Sequence, residues 1–314
     1  MPQTSLGDTN TLLTPSEVLE LVNAHYSLGE AQYSDLIRRG FNDHYLVEVG
    51  DLKYIFRVYL NHKYYIESPD AFQFELDLLE HLRKEGVPVA NALRMSNGEL
   101  LGWTSTKLGE RAFALFTYAA GEEVDEESIT SEQSLQFGKT AARFHLTANR
   151  FESKHKRYHL GLKYLVDEPL RLIAQQEDES SRVLTQQQVE RMHEILAPLQ
   201  PVEDLVTAVR TLEARGDEFG IIHADLHTGN VHFQGDQITL FDFDHCAYGW
   251  RAYDLAPLAF LPKEQYEKFM EGYESVRPLS EQERESLPTF KKLRSFWNFG
   301  DFLATASLTA EPSE

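Results

Sequence analysis

Sulfur offers this chain almost no chemistry. One cysteine, Cys246, stands in 314 residues, so an internal disulfide and a Cys-rich zinc site are both excluded. Basic residues are scarce beside acidic ones: 30 Lys and Arg against 50 Asp and Glu leave a formal charge of -20. Nonspecific binding to nucleic acid needs clustered Lys and Arg, and this balance argues against it. It suits solubility, or a cationic small substrate steered toward an acidic cleft. No apolar run approaches the ~20 residues of a membrane span. Met1 leads into a polar segment without the apolar core of a secretory signal, so the expected setting is the cytoplasm. A chain of this length buries about three quarters of its unfolded surface without cross-links, enough for two lobes or one large domain.

What is present is an ordered series of local patterns. Residues 14–26 read as a helix, with Thr14 as N-cap and Pro15 at the first helical position. Residues 45–49 and 54–59, joined by Gly50-Asp51, read as a hairpin. Phe72, Leu76, Leu79 and Leu82 recur at helical spacing over 70–84, and Gly86 is the stop. Strand-like pieces return at 100–103 and 112–118. After Gly121 helical patterns dominate, over 131–148, 162–175, 186–214, 253–260, 263–274 and 281–306, the last interrupted or started late by Pro288. One hairpin breaks that series, with strands at 230–233 and 238–243. The tail from residue 308 is expected to fray.

The chemistry concentrates at that hairpin. Ile221 and Ile222 lead into His223-Ala224-Asp225, Asn230 follows, and Phe241-Asp242-Phe243-Asp244 closes the second strand. Phosphoryl transfer from a nucleotide needs such groups: one carboxylate to accept the proton of an incoming hydroxyl, and an amide and a second carboxylate to hold magnesium against the phosphates. Asp225 is then the catalytic base. Asn230 and Asp242 are hard oxygen ligands for a hard cation, and His223 is structural, bonding the loop backbone. Asp244 joins the metal or faces the acceptor, with a plain turn residue as its alternative.

These residues resemble the aminoglycoside phosphotransferase and choline kinase-like superfamily, which shares the protein kinase fold. The family's His-Gly-Asp-x-x-x-x-Asn corresponds to His223-Ala224-Asp225 through Asn230. Its Asp-Phe-Asp and Tyr-Asp-Leu-Ala elements correspond to Asp242-Phe243-Asp244 and Tyr253-Asp254-Leu255-Ala256. The resemblance spans about residues 19–254. It implies an α+β, two-lobed fold: residues 1–119 as an antiparallel sheet with one helix covering the nucleotide, and 120–314 as a mainly helical lobe with the catalytic loop, metal site and acceptor pocket. It implies ATP, with GTP open, and Mg2+. Arg57 takes the place of the phosphate-contacting lysine and Glu75 pairs with it. Asn42, in the turn Gly40-Phe41-Asn42-Asp43, covers the phosphates. Tyr118 and Ala120, in the hinge 116–121, meet adenine through backbone groups. Asp254 becomes a buried buttress of the catalytic loop, with the N-cap of the following helix as its other reading. Asp244 and His245 are the candidate acceptor contacts.

Other candidates are weaker. Gly138-Lys139-Thr140 has the tail of a phosphate-binding loop, but Gln133 replaces the required first glycine, and the stretch reads as helix surface. His223, Asp225 and His227 lack the further histidines of a metal hydrolase site. Trp297, Phe299 and Phe302 read as core of the last helix. The expected activity is therefore phosphoryl transfer to a small-molecule hydroxyl, probed against two alternatives: a non-catalytic nucleotide-binding regulator and a kinase acting on protein Ser or Thr. The acceptor and the oligomeric state are not legible.

Overall fold

The computed structural model describes residues 13–309, apart from 40–41, 60–64, 108, 179–181, 183, 200, 213–217 and 236. Gly40 and Phe41 of the expected phosphate-covering turn and the end of the tail thus lie outside the described residues. The chain forms two compact units, residues 1–61 with 90–118, and residues 62–89 with 119–314.

The first unit is a five-stranded antiparallel sheet in the order β1-β2-β3-β5-β4, from Tyr33–Arg39, Asn42–Val49, Leu52–Tyr59, Gly102–Thr106 (β4) and Gly109–Thr117 (β5). β1 is absent from the local pattern because most of its residues are polar or exposed. Helix α1, Pro15–His25, starts in a capping box. Thr14 Oγ1 accepts from the Glu17 N–H at 3.3 Å, and Glu17 accepts from the Thr14 N–H at 2.6 Å. Its Val18 and Val22 close one face of the sheet over Tyr45, Val47, Phe56, Phe113 and Leu115.

The second unit is helical around two short strand pairs. Helix α2, Asp70–Lys84, belongs here rather than with the sheet. Phe74 meets Phe151 and Tyr248 edge-on at 5.3 and 5.7 Å, and His81 Nε2 lies 3.2 Å from the Thr147 carbonyl. Helix α3 is Ser131–Ala148 and α4 is Glu168–Glu177, entered through a wide turn at Lys163–Asp167. The expected helix 186–214 is two, α5 Gln186–Leu196 and α6 Val202–Leu212. Pro198 and Pro201 between them remove two backbone donors. β6 (Phe219–Ile222) pairs with β9 (Ala247–Trp250), and β7 (Val231–Gln234) with β8 (Gln237–Leu240). Helices α7 Arg251–Leu255, α8 Lys263–Val276 and α9 Glu281–Thr309 complete the chain, and Pro288 is absorbed inside α9. Gly138 is not surface: a Cβ there would lie 1.9 Å from the Phe269 carbonyl, so the glycine lets α3 and α8 cross closely.

Candidate active site

β6 ends at Ile222, and the next residues turn sharply because both flanks are held. Asp254, inside α7, accepts from the backbone N–H groups of His223 and Ala224, each at 2.7 Å. Ala224 consequently sits in the left-handed region at φ 64°, an uncommon conformation for a residue with a Cβ. Asp254 is thus a buttress of the loop. The N-cap alternative fails, because the residue lies within its helix rather than before it.

His223 keeps to the backbone. Its Nε2 donates to the Phe241 carbonyl at 2.9 Å, its Nδ1 accepts from the Asp225 N–H at 3.3 Å, and its ring packs on Phe243 with centroids 4.3 Å apart. The loop is closed from the other side by the Phe241 N–H, which donates to the Asn230 carbonyl at 3.1 Å. Asp242 follows directly. It does not end the strand as expected: β8 stops at Leu240, and Asp242 turns the chain in the left-handed region at φ 63°, ψ 56°. Asp244 then lies in a short 3-10 turn, Phe243–His245, so strand alternation does not fix its direction.

Asp225 is the best-held side chain of the loop. Its Oδ2 accepts from Asn230 Nδ2 at 2.9 Å and lies 3.5 Å from His227 Nε2. Its Oδ1 accepts from the buried Arg294 of α9. Burial pushes this carboxyl up, but the Arg294 guanidinium and His227 outweigh that and hold it well below the usual carboxylate range. The side chain keeps 24% of its surface exposed, so it remains approachable.

Asn230 gives the clearest sign of a ligand. Its amide nitrogen donates to both the Asp225 carbonyl and carboxylate, each at 2.9 Å. Its Oδ1 is buried and accepts no hydrogen bond. A buried acceptor left open costs roughly 1–3 kcal/mol, and a hard cation is the partner an amide oxygen suits. Among the described residues no three His, Cys, Asp or Glu side chains form a cluster able to hold a metal alone. The donor set fits magnesium, which binds through one or two protein oxygens and completes its shell with phosphate and water.

The remaining expected residues are placed unit by unit. In the first, Arg57 is buried in β3, its Nε donates to His44 Nε2 at 3.1 Å, and its guanidinium lies 4.6 Å from the Phe116 ring centre. Asn42 opens β2 and is buried. Tyr118 is exposed at the end of the unit. In the second, the Ala119 carbonyl beside Ala120 accepts from His232 Nδ1 at 2.7 Å. Glu75 is fully buried in α2 and helps hold Arg157 charged. Arg157 donates to the carbonyls of Ala71, Asp244 and Cys246, tying the start of α2 to the segment after Asp242. Asp244 and His245 are buried. His245 meets Tyr65 and Trp297, with ring centroids 5.3 Å away in each case. Trp297 is core, whereas Phe302 is 52% exposed. Burial pushes the Cys246 thiol up to about 12, which leaves it unreactive.

Two residues of the site were not singled out from sequence. Arg294 is a charge within an apolar helical face made by Phe290, Leu293 and Trp297, and that interruption was its only signal. His145 of α3 is buried, lying 3.0 Å from Asp254 Oδ2 and 2.7 Å from the Tyr273 hydroxyl. Burial lowers it from 6.5 to about 4 against the opposing pull of Asp254. The folded state therefore binds fewer protons than the unfolded one. The stabilisation is complete above pH 6.5 and is lost as the pH falls toward 4, by about 3 kcal/mol. Urea unfolding midpoints measured from pH 7.5 to 4 should drop steeply through this window, and His145→Gln should flatten that dependence.

The sequence matches the phosphotransferase enzyme family over residues 36–286. It is 31% identical over 308 residues to an uncharacterized protein of Synechocystis sp., covering 95% of this chain and 80% of that one. A homoserine kinase of Agrobacterium fabrum is 30% identical over 232 residues, covering 70% of this chain and 64% of that enzyme. Among solved structures, a microcompartment-associated aminopropanol kinase superposes with a TM-score of 0.71 at 24% identity, covering 93% of this chain and 94% of that one. The mixed α+β fold, with its antiparallel sheet and mainly helical remainder, is the kinase-like fold of these proteins.

Proposed function

We propose, for a chain that belongs to the phosphotransferase enzyme family and is a kinase with an alcohol group as acceptor, that it transfers the γ-phosphoryl group of ATP, with magnesium, to a small amine-bearing molecule. The observation that carries this is the Asp225–Asn230 pair: a held, ionised carboxylate beside a buried amide oxygen with no donor.

Asp225 orients the acceptor hydroxyl and takes its proton. A carboxylate held well below the usual range is a weak base. That suits a loose transfer in which the bond to the leaving oxygen is largely broken while the new one is still forming. A positioned proton acceptor contributes about 10²–10⁴-fold. The Asn230 amide has divided work: its nitrogen fixes Asp225, and its oxygen, with the Asp242 carboxylate, would hold the ion. When bound, the magnesium ion neutralises phosphate charge. Arg57 contacts the α and β phosphates and Glu75 positions it. Asn42 covers the phosphates, and the backbone at Tyr118 and Ala120 meets the base. Most of the rate then comes from positioning and charge neutralisation.

The acceptor class is supported by two relatives whose names specify amine-bearing alcohols, homoserine and aminopropanol, and by the net charge of -20, which attracts cations. Asp244 and His245 are the proposed acceptor contacts. The described residues include no helix long and apolar enough to cross a membrane, and the proposed setting is the cytoplasm. A screen of magnesium-dependent ADP release against amino alcohols, amino-acid alcohols, sugars and Ser/Thr-containing peptides tests the proposal. Stimulation by the amine-bearing alcohols is expected. Stimulation by peptides alone would reassign the acceptor, and ATP binding without any stimulation would point to a nucleotide-binding regulator.

A further inference from the structure

Position 224 carries the uncommon backbone of the loop, and it is clamped at both ends. Its N–H donates to Asp254 Oδ1 at 2.7 Å, and its carbonyl accepts from Arg294 Nη1. The same guanidinium reaches the Tyr253 hydroxyl through Nη1 at 3.3 Å and Asp225 Oδ1 through Nη2. It is braced between aromatic rings, 5.4 Å from the centre of Tyr253 and 5.6 Å from that of Trp297. A left-handed conformation at a non-glycine residue costs of order 1–3 kcal/mol and persists only when its surroundings over-determine it.

We propose that Arg294 is a positioning residue: its fork across the Ala224 carbonyl and Asp225 Oδ1 sets the plane of the carboxylate, so that Oδ2, which also accepts from Asn230 Nδ2, meets the acceptor hydroxyl with its second lone pair. The inference rests on the proposed role of Asp225. A buried ion pair serving stability alone needs only the carboxylate. Here the other terminal nitrogen, Nη1, also grips the carbonyl of the strained residue before it. Lysine is a point charge on a flexible stem and lacks this planar fork, so charge alone does not replace arginine. The contact also makes the aim of Asp225 depend on α9, through a residue 69 positions farther along the chain.

The experiment compares Arg294→Met and Arg294→Lys in the full chain. Amide hydrogen exchange in the peptide covering 221–230 should speed up in both variants at temperatures where the remaining peptides exchange as in wild type. This readout requires no acceptor. With an acceptor from the screen, kcat should fall about 100-fold in both, the scale of a small misplacement of a reacting group, with the KM for ATP little changed. In a third variant, Arg294→Ala, guanidinium at non-denaturing concentration should restore part of the kcat, while urea, its neutral isostere, should not. Wild-type exchange in the 221–230 peptide of both variants, or a full kcat in the lysine variant, would overturn the inference. Failure of the acceptor screen alone would fall on the proposed function, since the exchange readout stands apart from it.

Discussion

Asp225→Asn should lower turnover about 10³-fold, within the range a positioned proton acceptor contributes, and leave ATP affinity nearly unchanged. The substitution preserves shape and one oxygen for Arg294, which now bonds Oδ1. It removes the proton acceptor and places an amide nitrogen where Oδ2 accepts from Asn230 Nδ2 at 2.9 Å. Two donors then face each other, at a cost of about 1–3 kcal/mol for the unmade bond. Arg294, buried, also loses its charged partner, and breaking a buried pair costs up to about 3–5 kcal/mol, so the variant should unfold at lower urea than wild type and is compared with it where both are folded. Steady-state ADP release with an active acceptor, and calorimetric titration with a non-hydrolysable ATP analogue, separate the two effects. Turnover near the wild-type level would remove Asp225 from the chemistry.

Asp254→Ala should be the most damaging substitution for the fold. One carboxylate accepts from two backbone N–H groups at 2.7 Å and lies 3.0 Å from His145 Nε2, all in the interior. Removing it strands these donors, and breaking a buried polar network of this kind costs about 3–5 kcal/mol. The loop that aims Asp225 loses its anchor on the α7 side, so turnover should fall with stability. Asp254→Asn keeps one acceptor oxygen and should lose less. Urea unfolding with hydrogen exchange at residues 221–230 measures both consequences. An alanine variant as stable as wild type, with a protected loop, would show that the turn at Ala224 holds itself.

The parts legible in the sequence are those whose cause is local. Thr14 and Pro15 mark the start of α1, and the 45–59 hairpin follows from alternation around Gly50-Asp51. The spacing from Asp225 to Asn230 and Asp242 carries the loop. What stayed hidden depends on partners distant in sequence. β1 is a mostly polar strand that exists because β2 pairs with it. β9 has four residues and is defined by β6. Helix α2 goes to the second unit through Phe74, whose neighbours lie at 151 and 248. The loop's brace is split among His145, Asp254 and Arg294, on three helices. Only Asp254 carries a motif, because the other two look like occasional polar residues on apolar helical faces. Asp242 shows a further limit: the strand pattern ran on past Leu240, and nothing local announced the left-handed turn there.

The central claim is that the Asn230 amide oxygen and the Asp242 carboxylate hold one divalent ion beside Asp225. Manganese, a paramagnetic substitute for magnesium, tests it directly by electron paramagnetic resonance in the presence of a non-hydrolysable ATP analogue. Wild type should bind the ion with the nucleotide, Asn230→Ala and Asp242→Ala should each weaken that binding, and Asp225→Asn should retain it. Unaltered manganese binding in both the Asn230 and the Asp242 variants would contradict the claim.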